Sequence, residues 1–127
     1  MSKSSQDLQG IDPCPIAPAV GLIFGRWTSH VLWVLTQKGR LRFTELSAQL
    51  QAITPKILTE RLRQLERNGL VKRTYHAEVP PRVEYEATEL AHTLSPIFTA
   101  LTDWSEAYLP EVAQSQRVFD AEAASRR

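Results

Sequence analysis

The stretch Thr54-Pro55-Lys56-Ile57-Leu58-Thr59-Glu60-Arg61-Leu62-Arg63-Gln64-Leu65-Glu66-Arg67-Asn68-Gly69-Leu70-Val71 decides how the rest of the chain is read. It opens on a hydroxyl followed by proline. Thr54 can accept a hydrogen bond from a first-turn amide, and Pro55 suits the first helical position, where its missing N–H has no partner to lose. It closes on Gly69, which fits the left-handed position just past a helix end. Between them, steps of ~100° per residue gather Leu58, Leu62 and Leu65 on one side, with Ile57 further round. Lys56, Glu60, Arg63 and Arg67 fall on the opposite side, flanked by Thr59. The spacing predicts a helix to Asn68 that buries leucines and turns a mainly basic face outward.

Working back, Gln51-Ala52-Ile53 reads as a turn. Phe43, Leu46 and Leu50 stand at i, i+3 and i+7, predicting a short helix from about Thr44, with Arg42-Phe43 as a strand stub before it. Trp27, Val31, Val34 and Leu35 share one face of a helix from Trp27 to Gln37, which the apolar neighbours Leu32 and Trp33 mark as central. Asp12-Pro13-Cys14-Pro15 forms a turn into a first helix, with Pro15 at its first position and Ile16, Val20, Ile23 and Phe24 at helical spacing. Residues 1–12 are polar and aperiodic, and read as a flexible arm.

Working forward, Leu70–His76 and Val83–Ala87 alternate with period two, and Pro80-Pro81, which cannot donate to a ladder, belongs in the loop between them. Thr88 caps a short helical stretch to about Leu94, and Ser95-Pro96 restarts a helix by cap-plus-proline logic. Leu90, Leu94, Ile97, Leu101, Trp104 and Tyr108 form a heptad-like stripe, which Pro96 interrupts. Pro110 is expected to end the element, leaving 111–127 as a fraying tail. The expected fold is mainly α with a small β-hairpin. Two helices joined by a tight turn and followed by a two-stranded ribbon describe a winged helix-turn-helix over residues 13–110.

The chain has 127 residues, the size of one domain. Its net charge of +1 hides a strong asymmetry. Residues 38–73 carry nine basic groups against three acidic ones, and residues 74–111 carry one basic group, Arg82, against seven acidic ones. Such a division suggests a surface aimed at a polyanion, although clustered solvated faces would give the same count. The lone Cys14 builds no internal disulfide and points to a reducing compartment. Three scattered histidines offer no spaced metal-ligand set, and no cofactor motif is present. The longest apolar run, Ile16 to Phe24, falls short of a membrane span, and Asp7 and Asp12 are wrong for a secretory signal. A soluble cytoplasmic protein with no membrane partner is expected. No nucleophile elbow, phosphate loop or recognisable carboxylate pair supports an enzyme.

In a helix-turn-helix, the second helix enters the major groove of double-stranded DNA with its N-terminal half nearest the bases. That half offers Thr54, Pro55, Lys56, Thr59, Glu60 and Arg63. Lysine and arginine pair with guanine edges or phosphates, and threonine serves either base or backbone. Read alone, the helix is better taken as an ordinary surface helix with Lys56 paired to Glu60. The preceding short helix, Lys72 and Arg73 on the following strand, and the wing favour DNA. Arg82, after the Pro-Pro tip, either reaches the minor groove and its phosphates or pairs across the hairpin with Glu78 or Glu84.

The runs Gly25-Arg26-Trp27, Gly39-Arg40-Leu41-Arg42-Phe43-Thr44-Glu45-Leu46 and Ile53 to Val71 resemble the HxlR-type regulators. So do Pro80-Pro81-Arg82-Val83-Glu84-Tyr85, the Thr88 to Pro96 segment and Trp104. The resemblance covers about residues 13 to 109. It departs at Leu90-Ala91-His92, where the family more often has glycine near 91 or 92, and at Arg26, where lysine is common. The resemblance implies a transcription factor with a winged helix-turn-helix, working as a homodimer on inverted-repeat operators. Arg42 and Thr44 are also expected to face the DNA, and the resemblance implies dimer contacts from the first and last helices: Ile16, Val20, Ile23, Ile97, Leu101, Trp104 and Tyr108. The aromatic stripe itself is open to an intramolecular reading, but too few partners remain in so short a chain to cover both helices, and a two-fold dimer would cover them.

Cys14-Pro15 matches the N-terminal Cys-Pro of the family, in some members a sensor of oxidants or electrophiles. A thiol beside a helix N-terminus is favoured as thiolate, which Asp12 opposes. The other reading is a small buried apolar residue, with a non-covalent effector acting elsewhere. A third possibility for the whole chain is a winged helix used only for protein contacts, against which the basic segment argues.

Overall fold

The computed structural model describes residues 14–126, so the expected arm over 1–12 lies outside the described residues. The chain divides into two units, Met1–His92 and Thr93–Arg127. Within the first unit the order is α1 (Ala17–Ile23), α2 (Thr28–Lys38), β1 (Leu41–Arg42), α3 (Phe43–Leu50), α4 (Pro55–Arg67), β2 (Val71–His76), β3 (Arg82–Ala87) and α5 (Glu89–His92). The second unit holds α6 (Ser95–Ser125).

The termini of α4 are built as its sequence requires. Thr54 is extended, and its Oγ1 accepts the Ile57 N–H at 3.2 Å. At the other end Gly69 takes φ +76°, the Leu70 N–H bonds the Leu65 carbonyl at 2.9 Å, and the Gly69 N–H bonds that of Glu66 at 3.1 Å. Glycine bears this conformation without a Cβ penalty, and the two bonds occupy carbonyls the helix end would leave bare. Leu58, Leu62 and Leu65 are buried with Val31, Leu32 and Leu35 of α2 and Leu46 of α3. This one apolar centre fixes the three helices and leaves the other side of α4 in water.

The sheet departs from the expected hairpin. Three antiparallel strands run in the order β1-β3-β2, with Leu41 opposite Tyr85 and Arg42 opposite Glu84. The stub is Leu41–Arg42 rather than Arg42-Phe43, because Phe43 already begins α3 and the Arg42 N–H is capped by Glu45 Oε1 at 2.8 Å. Thr88 closes the sheet against α4: its hydroxyl donates to the Gly69 carbonyl at 2.7 Å and accepts the Ala91 N–H at 3.2 Å.

Several expected boundaries move. Helix α1 starts at Ala17, so Pro18, not Pro15, lies in its first turn. Trp27 precedes α2 in a left-handed conformation, φ +71°, and Trp33 is exposed on that otherwise central helix. The stretch after Thr88 ends at His92, and Ser95 lies inside the next helix without capping it. The largest correction is at Pro110. It does not end α6, which runs on to Ser125. A mid-helix proline removes one amide, here the donor to Glu106, and bends a helix rather than abolishing it when strong formers follow. Ala113, Gln114, Gln116, Ala121, Glu122, Ala123 and Ala124 are such residues.

Candidate nucleic-acid interface

With its leucines inward, α4 exposes Lys56, Glu60, Arg63 and Arg67, and Thr54 and Pro55 are exposed at its start. Among the described residues Lys56 and Glu60 form no ion pair with each other, so the pairing considered from their spacing is not made. Arg61 is committed elsewhere: its Nε donates to the Arg26 carbonyl at 2.9 Å, tying α4 to the segment before α2.

Two clefts collect the expected polar residues. One, of about 340 Å³, is lined by Thr59, Leu62, Arg63 and Glu66 of α4 with Arg73 and Tyr85 of the sheet. The other, of about 360 Å³, brings Arg42 and Thr44 against Pro80, Pro81 and Arg82 at the wing tip. Lys72 and Arg73 are separated. Arg73 is paired with Tyr85 and Lys72 with Glu86, and successive residues of a strand point to opposite faces. Arg73 therefore shares a cleft with α4, and Lys72 faces the other way.

That other face carries an ionic cluster centred on Glu84. His76 Nε2 lies 2.8 Å from Glu84 Oε1, Arg40 Nη1 lies 3.5 Å from the same oxygen, and Arg82 Nε lies 3.7 Å from Oε2. Arg40 also holds Glu86 at 2.9 Å, and Arg82 holds Glu78 at 3.1 Å. The hydrogen bond from His76 holds the Glu84 carboxyl below the usual carboxylate range. Partial burial opposes this, and the charges of Arg82, His76 and Arg40 add to it. The cross-hairpin partners considered for Arg82 are thus both present. Sequence reasoning missed Arg40 and Tyr85. Arg40 meets β3 through the long-range pairing of β1, which no local pattern announces, and the alternation that placed Tyr85 on a strand did not show which helix it faced.

The remaining residues sort by exposure. Cys14 is exposed, but lies ahead of a Cys14-to-Ala17 turn rather than beside the first helical residue. Ile16 and Val20 are exposed, whereas Ile23 is buried and so belongs to the protomer's own core, correcting its place in a dimer contact. In α6, Ile97, Leu101, Trp104 and Tyr108 are each 45–51 % exposed, and the rings of Trp104 and Tyr108 lie 5.7 Å apart. Val112 and Phe119 extend this exposed stripe beyond Pro110. Among the described residues no cluster of His, Cys, Asp and Glu is arranged to hold a metal, and no helix is long and apolar enough to cross a membrane.

Residues 22–113 match the family model described as HxlR-like helix-turn-helix. The chain is 36% identical over 119 residues to the uncharacterized HTH-type transcriptional regulator YdeP of Bacillus subtilis, covering 94% of this chain and 90% of that protein. Among solved structures, the redox regulator HypR in its reduced form superposes with a TM-score of 0.73 at 34% identity, covering 80% of this chain and 99% of that one. The reduced form of the transcriptional regulator YodB from B. subtilis does so at 0.67 and 33%, covering 76% and 95%.

Proposed function

Since the chain belongs to the HxlR-like helix-turn-helix family and is a DNA-binding transcriptional regulator of winged-helix fold, we propose that it works as a homodimer that reads an inverted-repeat operator. The observation that carries this reading is the leucine-backed α4, whose exposed cationic face is continued by Arg73 across one cleft. In the proposed complex α4 lies in the major groove. Thr54, Lys56, Thr59, Glu60 and Arg63 meet base edges and adjacent phosphates there. At the Thr54-Pro55 start the Lys56 N–H is the amide offered to a phosphate, since proline has none, Thr54 Oγ1 takes that of Ile57 and the Thr54 carbonyl takes that of Leu58. Arg42 and Thr44 contact the backbone from the start of α3, Arg73 contacts it beside α4, and Arg82 does so from the wing. Lys72 shares Arg82's sheet face but pairs with Glu86, four residues down the ladder from the wing tip, and contributes at most through long-range charge.

Two copies are needed because each α4 reads one half-site, and half-sites recur about one helical turn, ~34 Å, apart. The exposed stripe Ile97, Leu101, Trp104 and Tyr108 supplies the seam in this reading, together with Ile16 and Val20. A contiguous apolar stripe of this kind marks an interaction surface more often than a bare face. Sedimentation at micromolar concentration is expected to give a dimer, and a monomer there refutes the assembly.

Cys14 is proposed as a redox-responsive thiol. Its exposure and the likeness to HypR, a redox regulator, support this reading. With no second cysteine in the chain, oxidation has to end in sulfenic acid, a mixed disulfide with a small thiol, or a bond between subunits. Diamide or a quinone is expected to change operator affinity in the parent but not in Cys14→Ser. Equal behaviour of the two refutes the sensor.

The regulator reading is tested by selecting bound duplexes from a random pool. A shared inverted repeat, bound at least tenfold more weakly by Arg63→Ala, is expected. Selection of no common sequence refutes it.

A further inference from the structure

We propose that Glu78 and Glu84 mask the wing cation Arg82 and thereby determine specificity, holding down affinity for DNA that lacks the recognised sequence. The inference rests on the reading of Arg82 as a DNA contact and adds two acidic residues that oppose it.

Arg82 stands beside Arg42 and Thr44 in the cleft at the wing tip, the place from which a wing meets DNA. Its guanidinium is already engaged. Nη2 lies 3.1 Å from Glu78 Oε2, and Nε lies 3.7 Å from Glu84 Oε2. The second contact is too long for a hydrogen bond, and Arg82 Nε is shielded from solvent with no hydrogen-bond acceptor. The cation is therefore held by charge and left unsatisfied at one N–H. A phosphate that offers two oxygens in the plane of the guanidinium satisfies what the carboxylates do not.

Release is made easy on the acidic side. When Arg82 leaves, Glu84 keeps His76 at 2.8 Å and Arg40 at 3.5 Å, so no carboxylate is stranded. Glu78 is about half exposed and returns to water. The Arg82–Glu78 contact is a weak surface ion pair, of the kind a well-placed competitor displaces, and the 3.7 Å contact to Glu84 holds the guanidinium by charge alone. Placement then decides the outcome. With α4 seated on its operator, the wing is delivered to a fixed phosphate at high effective concentration. On an unrelated duplex α4 is not seated, the wing meets phosphates only in passing, and the carboxylates retain Arg82.

The test is a double-mutant cycle on the full chain, with the selected operator duplex and a scrambled duplex of equal length and composition. Glu78→Gln keeps the side-chain size at an exposed position. It is expected to raise affinity for the scrambled duplex by up to about fivefold, the ratio an exposed ion pair supports, and to raise operator affinity less. In an Arg82→Ala background the same substitution is expected to do nothing. Glu78→Ala is expected to repeat the pattern. An equal rise in the Arg82→Ala background is mere loss of a negative charge and overturns the proposal, as does no rise at all. If the parent prefers the operator and Arg63→Ala loses that preference, either result sinks masking alone. A parent that binds both duplexes equally, or neither, sinks the regulator reading with it.

Discussion

Arg63 of α4 and Arg73 of β2 line one cleft, although one belongs to a helix and the other to the wing. In the proposed complex a phosphate chain passes where these two cations converge on one opening from different elements. Glu66, in the same cleft, limits how much positive charge accumulates when DNA is absent.

If both arginines contact phosphate, each substitution should reduce the salt dependence as well as the affinity. Arg73→Ala is expected to weaken operator and scrambled duplex alike and to lower the slope of log affinity against log salt by about one. Lys72→Ala, on the other sheet face, is expected to change the slope by much less. Binding isotherms between low and moderate salt decide the matter, and equal slopes for the two variants would refute the face assignment.

Thr88 is expected to matter for stability rather than DNA contact. Its hydroxyl joins the end of α4, through the Gly69 carbonyl, to the first turn of α5, through the Ala91 amide. Thr88→Val keeps the shape and loses both bonds, at an expected cost of about 1–2 kcal/mol, and Thr88→Ser restores most of it. Urea unfolding read by circular dichroism measures both.

Glu84 makes acid stability asymmetric. Its carboxyl titrates below the ordinary range because His76 is hydrogen-bonded to it and Arg82 and Arg40 stand near. A depressed folded-state value means that the unfolded chain takes up the proton first as pH falls. The contribution is therefore complete above the unfolded value of about 4.3 and disappears as pH drops through the lower folded value. The thermal midpoints of the parent and Glu84→Gln are expected to differ at pH 6 and to converge as the pH falls through the lowered folded value of Glu84. A gap that does not shrink at all as the pH falls below the ordinary carboxylate range would remove the ionic account.

Trp104→Ala should act on assembly. Trp104 is about half exposed in the protomer, so its loss removes little of the protomer's own packing, yet in the proposed seam it leaves a large aromatic unfilled. Sedimentation is expected to show dimer dissociation at least tenfold easier, with the protomer's helical signal retained. An unchanged dissociation constant would place the seam elsewhere.

Local order decided much of the architecture. Thr54-Pro55 and Gly69 bounded α4, and the leucine spacing chose its buried side, because caps and periodicity act within a few residues. The winged helix-turn-helix order followed from the same signals. What they did not reach was pairing across the chain. Leu41–Arg42 joined the sheet only because β3, more than forty residues later, lay alongside it, and that pairing brought Arg40 to Glu84. Register likewise separated Lys72 from Arg73, which look equivalent in sequence. Burial of Ile23 and exposure of Tyr108 depended on which neighbours the fold supplied, and helical spacing alone treats the two alike. Pro110 marked a helix end by its chemistry, and the helix-forming residues beyond it outweighed the single hydrogen bond it removes. Short-range geometry is written in adjacent residues, whereas facing, pairing and exposure are set by the free energy of burying distant surfaces together, which no short window of sequence contains.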